Sequence, residues 1–298
     1  MGAFLNGQQP RGASLRELLQ RPEPVLAPGA YDALSARLIE AAGFLAVYMT
    51  GFGTAASLLG RPDVGLLGLS EMVTNAHRIV EAVGVPVIAD ADTGYGNPIN
   101  VIRTVHEYEQ AGVAAIHIED QLAPKKCGHM EGKQLVPAGE MVAKLHAAVA
   151  ARRSDLVLIA RTDARAVEGM EAALQRARRY REAGADVIFF EAPQSEAEIE
   201  TVARELEDVP LLFNWAEGGK TPPVSYAYLR QLGFRIIIFP IGALLAATRG
   251  IRELLKVICA DGTPAAAMDN LPPFGEFLDF IGLPEVQDLE NRFSALSV

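Results

Sequence analysis

Three times in this chain a helix-like stretch ends in Ala-Gly and runs at once into an apolar, β-branched run, at Ala42-Gly43, Ala111-Gly112 and Ala183-Gly184. Glycine just past a helix accepts the left-handed conformation that stops it. The phrase therefore marks one helix-to-strand unit repeated. Short strand-like runs recur along the chain at Val25–Pro28, Leu45–Thr50, Pro86–Asp92, Ala115–Asp120, Leu156–Asp163, Val187–Ala192, Pro210–Trp215 and Ile236–Pro240. Amphipathic stretches separate most of them. Asp32–Ala42 closes on Gly43, Asn100–Ala111 on Gly112, Leu174–Ala183 on Gly184 and Tyr226–Leu232 on Gly233. Eight such units predict an α/β fold, a (β/α)8 TIM barrel, with a doubly wound sheet as the rival architecture. No break in composition marks a linker, so residues 1–298 read as a single barrel domain. Pro272-Pro273 and Pro284 punctuate its end. About residues 265–298 are expected to form a helical C-terminal extension that packs on the barrel or on a neighbouring subunit.

Composition narrows the partners. A net charge of −10 disfavours a general nucleic-acid or anionic-membrane role, but not a small anionic substrate, because local charge can oppose net charge. Apolar runs such as Arg235–Ala247 are broken by Gly and Pro and fall short of a membrane span. The N-terminus has no basic-then-apolar signal pattern. Two distant cysteines suggest a reducing cytoplasm and no disulfide framework.

In a barrel of this kind, functional residues gather at the C-terminal ends of the strands. Those ends carry Tyr48, Thr50 and Gly51, then Asp90 and Asp92, Glu119 and Asp120, Arg161 and Asp163, Glu191, and Asn214. Asp90-Ala91-Asp92 places two carboxylates on one side of an extended chain. Two acids so close repel unless a cation lies between them, and oxygen-only donors suit Mg2+. Asp63 and Glu119 are candidates to complete that shell. The alternative is a helix cap plus a loop acid. Arg161 after an apolar run fits carboxylate binding, a structural ion pair with Asp163 or Glu191, or both. Thr50-Gly51-Phe52-Gly53 offers backbone N–H groups that can cradle a carboxylate. Gly218-Gly219-Lys220-Thr221 lacks the full phosphate-loop pattern and reads as an ordinary loop. In Lys125-Lys126-Cys127-Gly128-His129 a cysteine stands between two ammonium groups and an imidazole, which favours its thiolate. Cys259, in an apolar run, reads as structural. His129 is expected to orient the loop or to act in catalysis. Leu122–Pro137, rich in Lys, Gly and Pro, fits a mobile lid.

Together Asp90-Ala91-Asp92-Thr93-Gly94-Tyr95-Gly96, Ile118-Glu119-Asp120-Gln121, Lys125-Lys126-Cys127-Gly128-His129 and Ala160-Arg161-Thr162-Asp163-Ala164 resemble the isocitrate lyase / phosphoenolpyruvate mutase superfamily, in order, from about residue 15 to 265. The resemblance implies a Mg2+-dependent (Mn2+ possible) (β/α)8 barrel, a homotetramer that exchanges C-terminal helices, and bond cleavage beside the carboxylate of a keto or hydroxy acid. Cys127 matches the lyase branch and disfavours a phosphonate mutase. Cys127-Gly128-His129-Met130-Glu131-Gly132-Lys133 is similar to dimethylmalate lyases, oxaloacetate hydrolases and petal death proteins. Methylisocitrate lyases are the other near group. They carry an arginine where this chain has Leu245, which favours a smaller 2-substituted malate over a tricarboxylate. Pro240 matches the lyase side, since oxaloacetate-hydrolysing members are expected to carry serine near there.

The function implied is retro-aldol, retro-Claisen-type cleavage of a 2-hydroxy acid to an α-keto acid such as pyruvate plus a carboxylic acid. Metal is expected on Asp90, Asp92, Asp63 and Glu119, and Cys127 as general acid. Tyr48 is the candidate base, and Lys125, His129 and Arg161 are the other catalytic candidates. Thr50, Gly51, Phe52, Gly128, Arg161, Glu191, Asn214 and Pro240 are expected to hold substrate, a small di- or tricarboxylate. An oxaloacetate hydrolase or decarboxylase on the same scaffold is the first alternative and a methylisocitrate lyase the second. A keto-acid-binding protein without turnover is disfavoured by the intact acids, Arg161 and Cys127.

Overall fold

The glycine stops fall where the sequence puts them. Gly43, Gly112, Gly184 and Gly233 have φ of 91°, 82°, 100° and 84°, each in the left-handed region after a helix. The structure is a computed structural model that describes residues 12–294. Eight parallel strands follow in chain order: β1 (Val25–Ala30), β2 (Val47–Met49), β3 (Val87–Asp90), β4 (Ala115–Glu119), β5 (Val157–Thr162), β6 (Val187–Phe190), β7 (Leu211–Asn214) and β8 (Ile236–Phe239). β1 pairs with both β2 and β8, so the sheet closes into a barrel and the doubly wound alternative falls away.

Helices cover the outside, among them Ala33–Ala41, Leu69–Ala82, Pro98–Ala111, Ala138–Ala151, Met170–Glu182 and Glu196–Glu205. The helix read as Asn100–Ala111 starts earlier, at Pro98, because Asn97 caps the Ile99 and Asn100 N–H groups. A short helix, Gly51–Leu59, begins immediately after β2 under its Thr50 cap.

Strand parity sorts the core into two layers. Val47, Met49, Ala89, Ile116, Ile118, Leu158, Ala160 and Ile188 belong to the cluster shared with the helices. Tyr48, Ile88, Ala115, Val157, Ile159, Phe189, Leu212 and Ile238 form the barrel interior. Leu15 and Leu18, on a helix fixed by a Ser14–Glu17 capping box, pack into the same interior cluster. Continuing the inward parity toward the strand ends gives Asp90, His117 and Glu119, Arg161, Glu191 and Asn214. The polar residues are thus the last inward positions of strands that otherwise bury Val, Ile and Phe.

A second compact unit begins at Leu244. It contains most of helix Gly242–Asp261, a 3-10 segment at Ala265–Asn270, and helices Phe274–Ile281 and Leu283–Ser294. Cys259 is exposed on the first of these, which corrects the expectation of a buried structural thiol. That helix has no buried residue, so an apolar run there does not mark a core strand. Among the described residues no helix is long and apolar enough to cross a membrane.

Candidate active site

At the C-terminal ends of the strands lies a cavity of about 240 Å³. Of the residues singled out from sequence, Tyr48, Thr50, Phe52, Asp63, Asp90, Lys125, Cys127, Gly128, His129, Arg161, Glu191, Asn214 and Pro240 line it. Met130, Ala216, Glu217, Gly218, Gly219 and Ile241 complete the wall. Asp92 lies behind the wall, on an adjoining cavity that Lys125 also borders, and Glu119 is buried beside Arg161.

Asp90 and Asp92 are not neighbours on one extended face, as the spacing suggested. β3 ends at Asp90 and Asp92 has φ 46°, so a turn rather than strand alternation sets its carboxylate. Asp90 accepts the Gly51 N–H at 3.2 Å and the Asp92 N–H at 2.9 Å. The Thr50 hydroxyl accepts the Gly53 N–H. Two of the N–H groups expected to cradle a substrate carboxylate are therefore already committed, one to Asp90 and one to the cap.

His117, which the sequence reading passed over, is fully buried on β4. Its Nε2 lies 2.9 Å from the Tyr48 hydroxyl and 3.6 Å from Asp90 Oδ1. Burial pushes its imidazole down to about 4, against the pull of Asp90, so it is neutral at neutral pH. Burial, with Asp90 adding to it, pushes the Tyr48 phenol well above its ordinary value. Tyr48 is therefore a hydrogen-bond donor, not the ready base that the sequence suggested.

Lys125 is the clearest correction. Its ammonium is buried between Asp63, at 2.6 Å, and Asp92, at 2.7 Å. It is neither solvated nor aimed at the thiol. The Lys126 ammonium turns outward to the Glu131 carbonyl. Neither cation acidifies Cys127, and burial pushes that thiol up instead, with Glu191 adding to the effect. Cys127 is a protonated thiol on the cavity wall.

The loop from Leu122 to Pro137 is irregular apart from a bridge between Gln121 and Leu135. It is held at several points. Gln121 clamps the Lys126 peptide, accepting its N–H at 2.9 Å and donating to its carbonyl at 2.8 Å. The Cys127 N–H reaches the Asp63 carbonyl. Lys133, which closes the Cys127–Lys133 run but was given no role from sequence, donates to the Gly128 carbonyl and pairs with Asp163 at 3.0 Å. His129 Nδ1 accepts the Lys220 N–H at 3.1 Å, and Nε2 lies 3.3 Å from Glu191. His129 thus ties the loop to the Gly218–Thr221 turn.

Arg161 makes the structural pairs foreseen for it. It bonds Asp163 through Nε and Nη2 at 2.9 and 3.2 Å, and lies 3.3 Å from Glu119 and 3.8 Å from Glu191. Asn214 donates to Glu191 at 3.2 Å.

Six buried carboxylates meet here, Asp63, Asp90, Asp92, Glu119, Asp163 and Glu191, against three cations, Lys125, Lys133 and Arg161. The imbalance is visible in the acids. Burial, with Asp90 and Asp63 adding to it against Lys125, pushes Asp92 up to about 7. Burial pushes Glu119 well above its usual range, and Glu119 Oε1 has no hydrogen-bond partner among the described residues. No three His, Cys, Asp or Glu side chains converge as a ready-made cage among the described residues, and Asp63 is engaged by Lys125. The four-residue shell expected from sequence is therefore not assembled. Surplus oxygen charge without a closed cage still fits a hard cation that keeps most of its own waters, the habit of Mg2+.

A parallel barrel whose mouth gathers buried carboxylates, an arginine and a thiol is a setting for chemistry on small acids. The sequence matches the phosphoenolpyruvate phosphomutase family over residues 15–259. It is 50% identical to a 2,3-dimethylmalate lyase of Eubacterium barkeri, covering 95% of this chain and 98% of that protein. It is 46% identical to a 2-methylisocitrate lyase of Aeropyrum pernix, covering 96% and 91%. A solved oxaloacetate acetylhydrolase with 3,3-difluorooxalacetate superposes with a TM-score of 0.89 at 41% identity, covering 94% and 96%. A phosphonopyruvate hydrolase solved with oxalate and Mg++ superposes at 0.86 and 33% identity, covering 94% and 97%. The chain belongs to the PEP mutase/isocitrate lyase superfamily, as an enzyme of its lyase kind.

Proposed function

We propose that this chain cleaves the C2–C3 bond of a 2-hydroxy dicarboxylate of the substituted-malate type, giving an α-keto acid such as pyruvate and a carboxylic acid. The observation that carries this reading is the Cys127 thiol, raised by burial, on the wall of a small cavity that Asp63, Asp90 and Glu191 also line. Breaking that bond leaves electrons on a carbon beside a carboxylate, and such a carbanion needs a proton at once. A thiol raised by burial is a proton donor in waiting. Asp90 and Asp92, with Glu119 behind, would hold a hydrated Mg2+, which when bound lowers the pKa of a hydroxyl and stabilises an alkoxide. Arg161 and Asn214 supply N–H donors to substrate carboxylates, and Tyr48 offers a phenol hydrogen bond at the floor. Glu191, bonded by Asn214 and near Arg161, holds both groups in place.

The apolar part of the wall, Phe52, Met130, Ala216, Pro240 and Ile241, suits alkyl substituents on the substrate. Together with the dimethylmalate lyase relative, it favours a methylated malate over a tricarboxylate. Exposed Phe274, Ile251 and Leu255 in the second unit suit a homo-oligomer, for which the family resemblance implies a tetramer.

The test is α-keto acid release across malate, citramalate, dimethylmalate, isocitrate and methylisocitrate with Mg2+, read as pyruvate from the three acids methylated at C2 and as glyoxylate from malate and isocitrate. Selective turnover of a methylated malate is expected. Acetate and oxalate from oxaloacetate, with silence on the panel, would replace this reading by the hydrolase favoured by the oxaloacetate acetylhydrolase likeness.

A further inference from the structure

Lys133 is a buried lysine in a loop without regular structure. Its side chain is 2% exposed and its carboxylate partner Asp163 is 0% exposed. A long, strongly hydrated ammonium is rarely placed this way unless the burial does something for the fold or the site. Its two partners show what it does. It donates to the carbonyl of Gly128, the residue that follows Cys127, and it pairs with Asp163, which stands directly after β5. One side chain therefore ties the backbone beside the thiol to the rigid end of the barrel.

The anchor is itself immobilised. Asp163 is bonded twice by Arg161, and its N–H donates to Asp120 Oδ1 at 2.9 Å. Asp120 Oδ2 in turn accepts from Thr162 and Tyr180, each at 2.8 Å. Asp163 is a strong anion, since the charges of Arg161 and Lys133 overcome the cost of its burial and bring it down to about 2. The Gly128 backbone is also pressed close to Arg161 and Glu191, and a Cβ there would meet both. The thiol's neighbouring peptide is thus held against the floor by one cation from within its own loop.

We propose that Lys133 is a positioning residue for Cys127, acting through the Gly128 carbonyl and Asp163. This deepens the lyase reading, on which the catalytic half of the inference rests. The geometric half does not depend on any substrate. Lys133 does not itself line the cavity and reaches its wall only through the Gly128 carbonyl, so its loss should alter where Cys127 sits without removing a proton donor.

The experiment uses the full-length protein on a Cys259→Ser background, which leaves Cys127 as the sole thiol. The rate of iodoacetamide labelling is measured for Lys133→Met, Lys133→Arg and Lys133→Ala, the last with and without propylammonium. Release of the loop should raise labelling of Lys133→Met by about tenfold or more. Its kcat on the preferred acid should fall by about 10²-fold, with KM changing much less. Lys133→Arg, which keeps a cation able to reach Asp163, should label slowly. Propylammonium should slow labelling of Lys133→Ala and restore part of its turnover. Equal labelling and turnover in Lys133→Met and the parent would overturn the proposal. So would Lys133→Arg labelling as fast as Lys133→Met, or an amine without effect on labelling. If the parent turns over none of the acids while the labelling contrast holds, the lyase reading fails and the positioning role stands.

Discussion

Cys127 and His117 show how burial chooses a protonation state. Sequence neighbours suggested an acidic thiol, since Lys125 and Lys126 precede it. In the folded chain both ammonium groups face elsewhere, and desolvation keeps the proton on sulfur. Cys127→Ala should therefore lower kcat by about 10²–10⁴ with Mg2+ still bound, the range for loss of a general acid. Unchanged turnover on the best substrate would remove the thiol from the mechanism. His117 makes a prediction of the opposite kind, about stability. Its folded pKa is about 4, below the ordinary 6.5, so the unfolded chain takes up a proton first as pH falls. The stability tied to neutral His117 is full above pH 6.5 and is lost between 6.5 and about 4. The shift corresponds to about 3 kcal/mol. Urea unfolding of the parent should weaken over that window by about this much more than that of His117→Gln. Parallel pH profiles for the two would show that His117 does not titrate as burial requires.

At the scale of elements, legibility followed regularity. The eight strands, the Gly stops at 43, 112, 184 and 233, and the polar residues that end the apolar runs could be read because strand-like runs and helix-stop signals are local. Asp90, Glu119, Arg161, Glu191 and Asn214 were all found that way. His117 was missed although it breaks the apolar run Ala115–Glu119 at an inward position, a signal that parity could have supplied. The loop from Leu122 to Pro137 was different. Its chemistry-bearing residues were visible, but their partners Asp63, Asp163 and Glu191 are distant in sequence, so Lys125 and Lys133 could not be placed. The carboxylate pair at Asp90 and Asp92 failed for a related reason, since the positive φ of Asp92 is a turn that the strand pattern hides. The fit of this loop to the barrel is tight at Gly128. A methyl group there would run into Glu191 and come within 2.5 Å of Arg161 Nη2. Gly128→Ala should lower kcat/KM by about 10²-fold while leaving the melting temperature within a few degrees, because the strain falls on a loop and not on the core. A large drop in melting temperature with normal kinetics in the surviving enzyme would show that Gly128 serves folding instead.

For the whole molecule, the charge imbalance of the barrel mouth links metal to stability. With Asp92 pushed up to about 7 and Glu119 well above its range, the metal-free protein keeps carboxylates that burial holds partly protonated near neutral pH. A divalent cation that binds the folded state alone adds RT ln(1 + [M]/Kd), about 2.7 kcal/mol at a hundredfold excess over Kd. For a chain of this size that is roughly 5 °C in melting temperature. Mg2+ should therefore raise the transition of EDTA-treated protein by about that amount at pH 7.5. The rise should shrink as pH falls below about 7, because protons then compete for the Asp92 carboxylate. Asp92→Asn should abolish most of the rise and the metal-dependent turnover together. A full Mg2+ shift retained in Asp92→Asn would move the cation away from Asp92, leaving Asp90 and Glu119 as its holders.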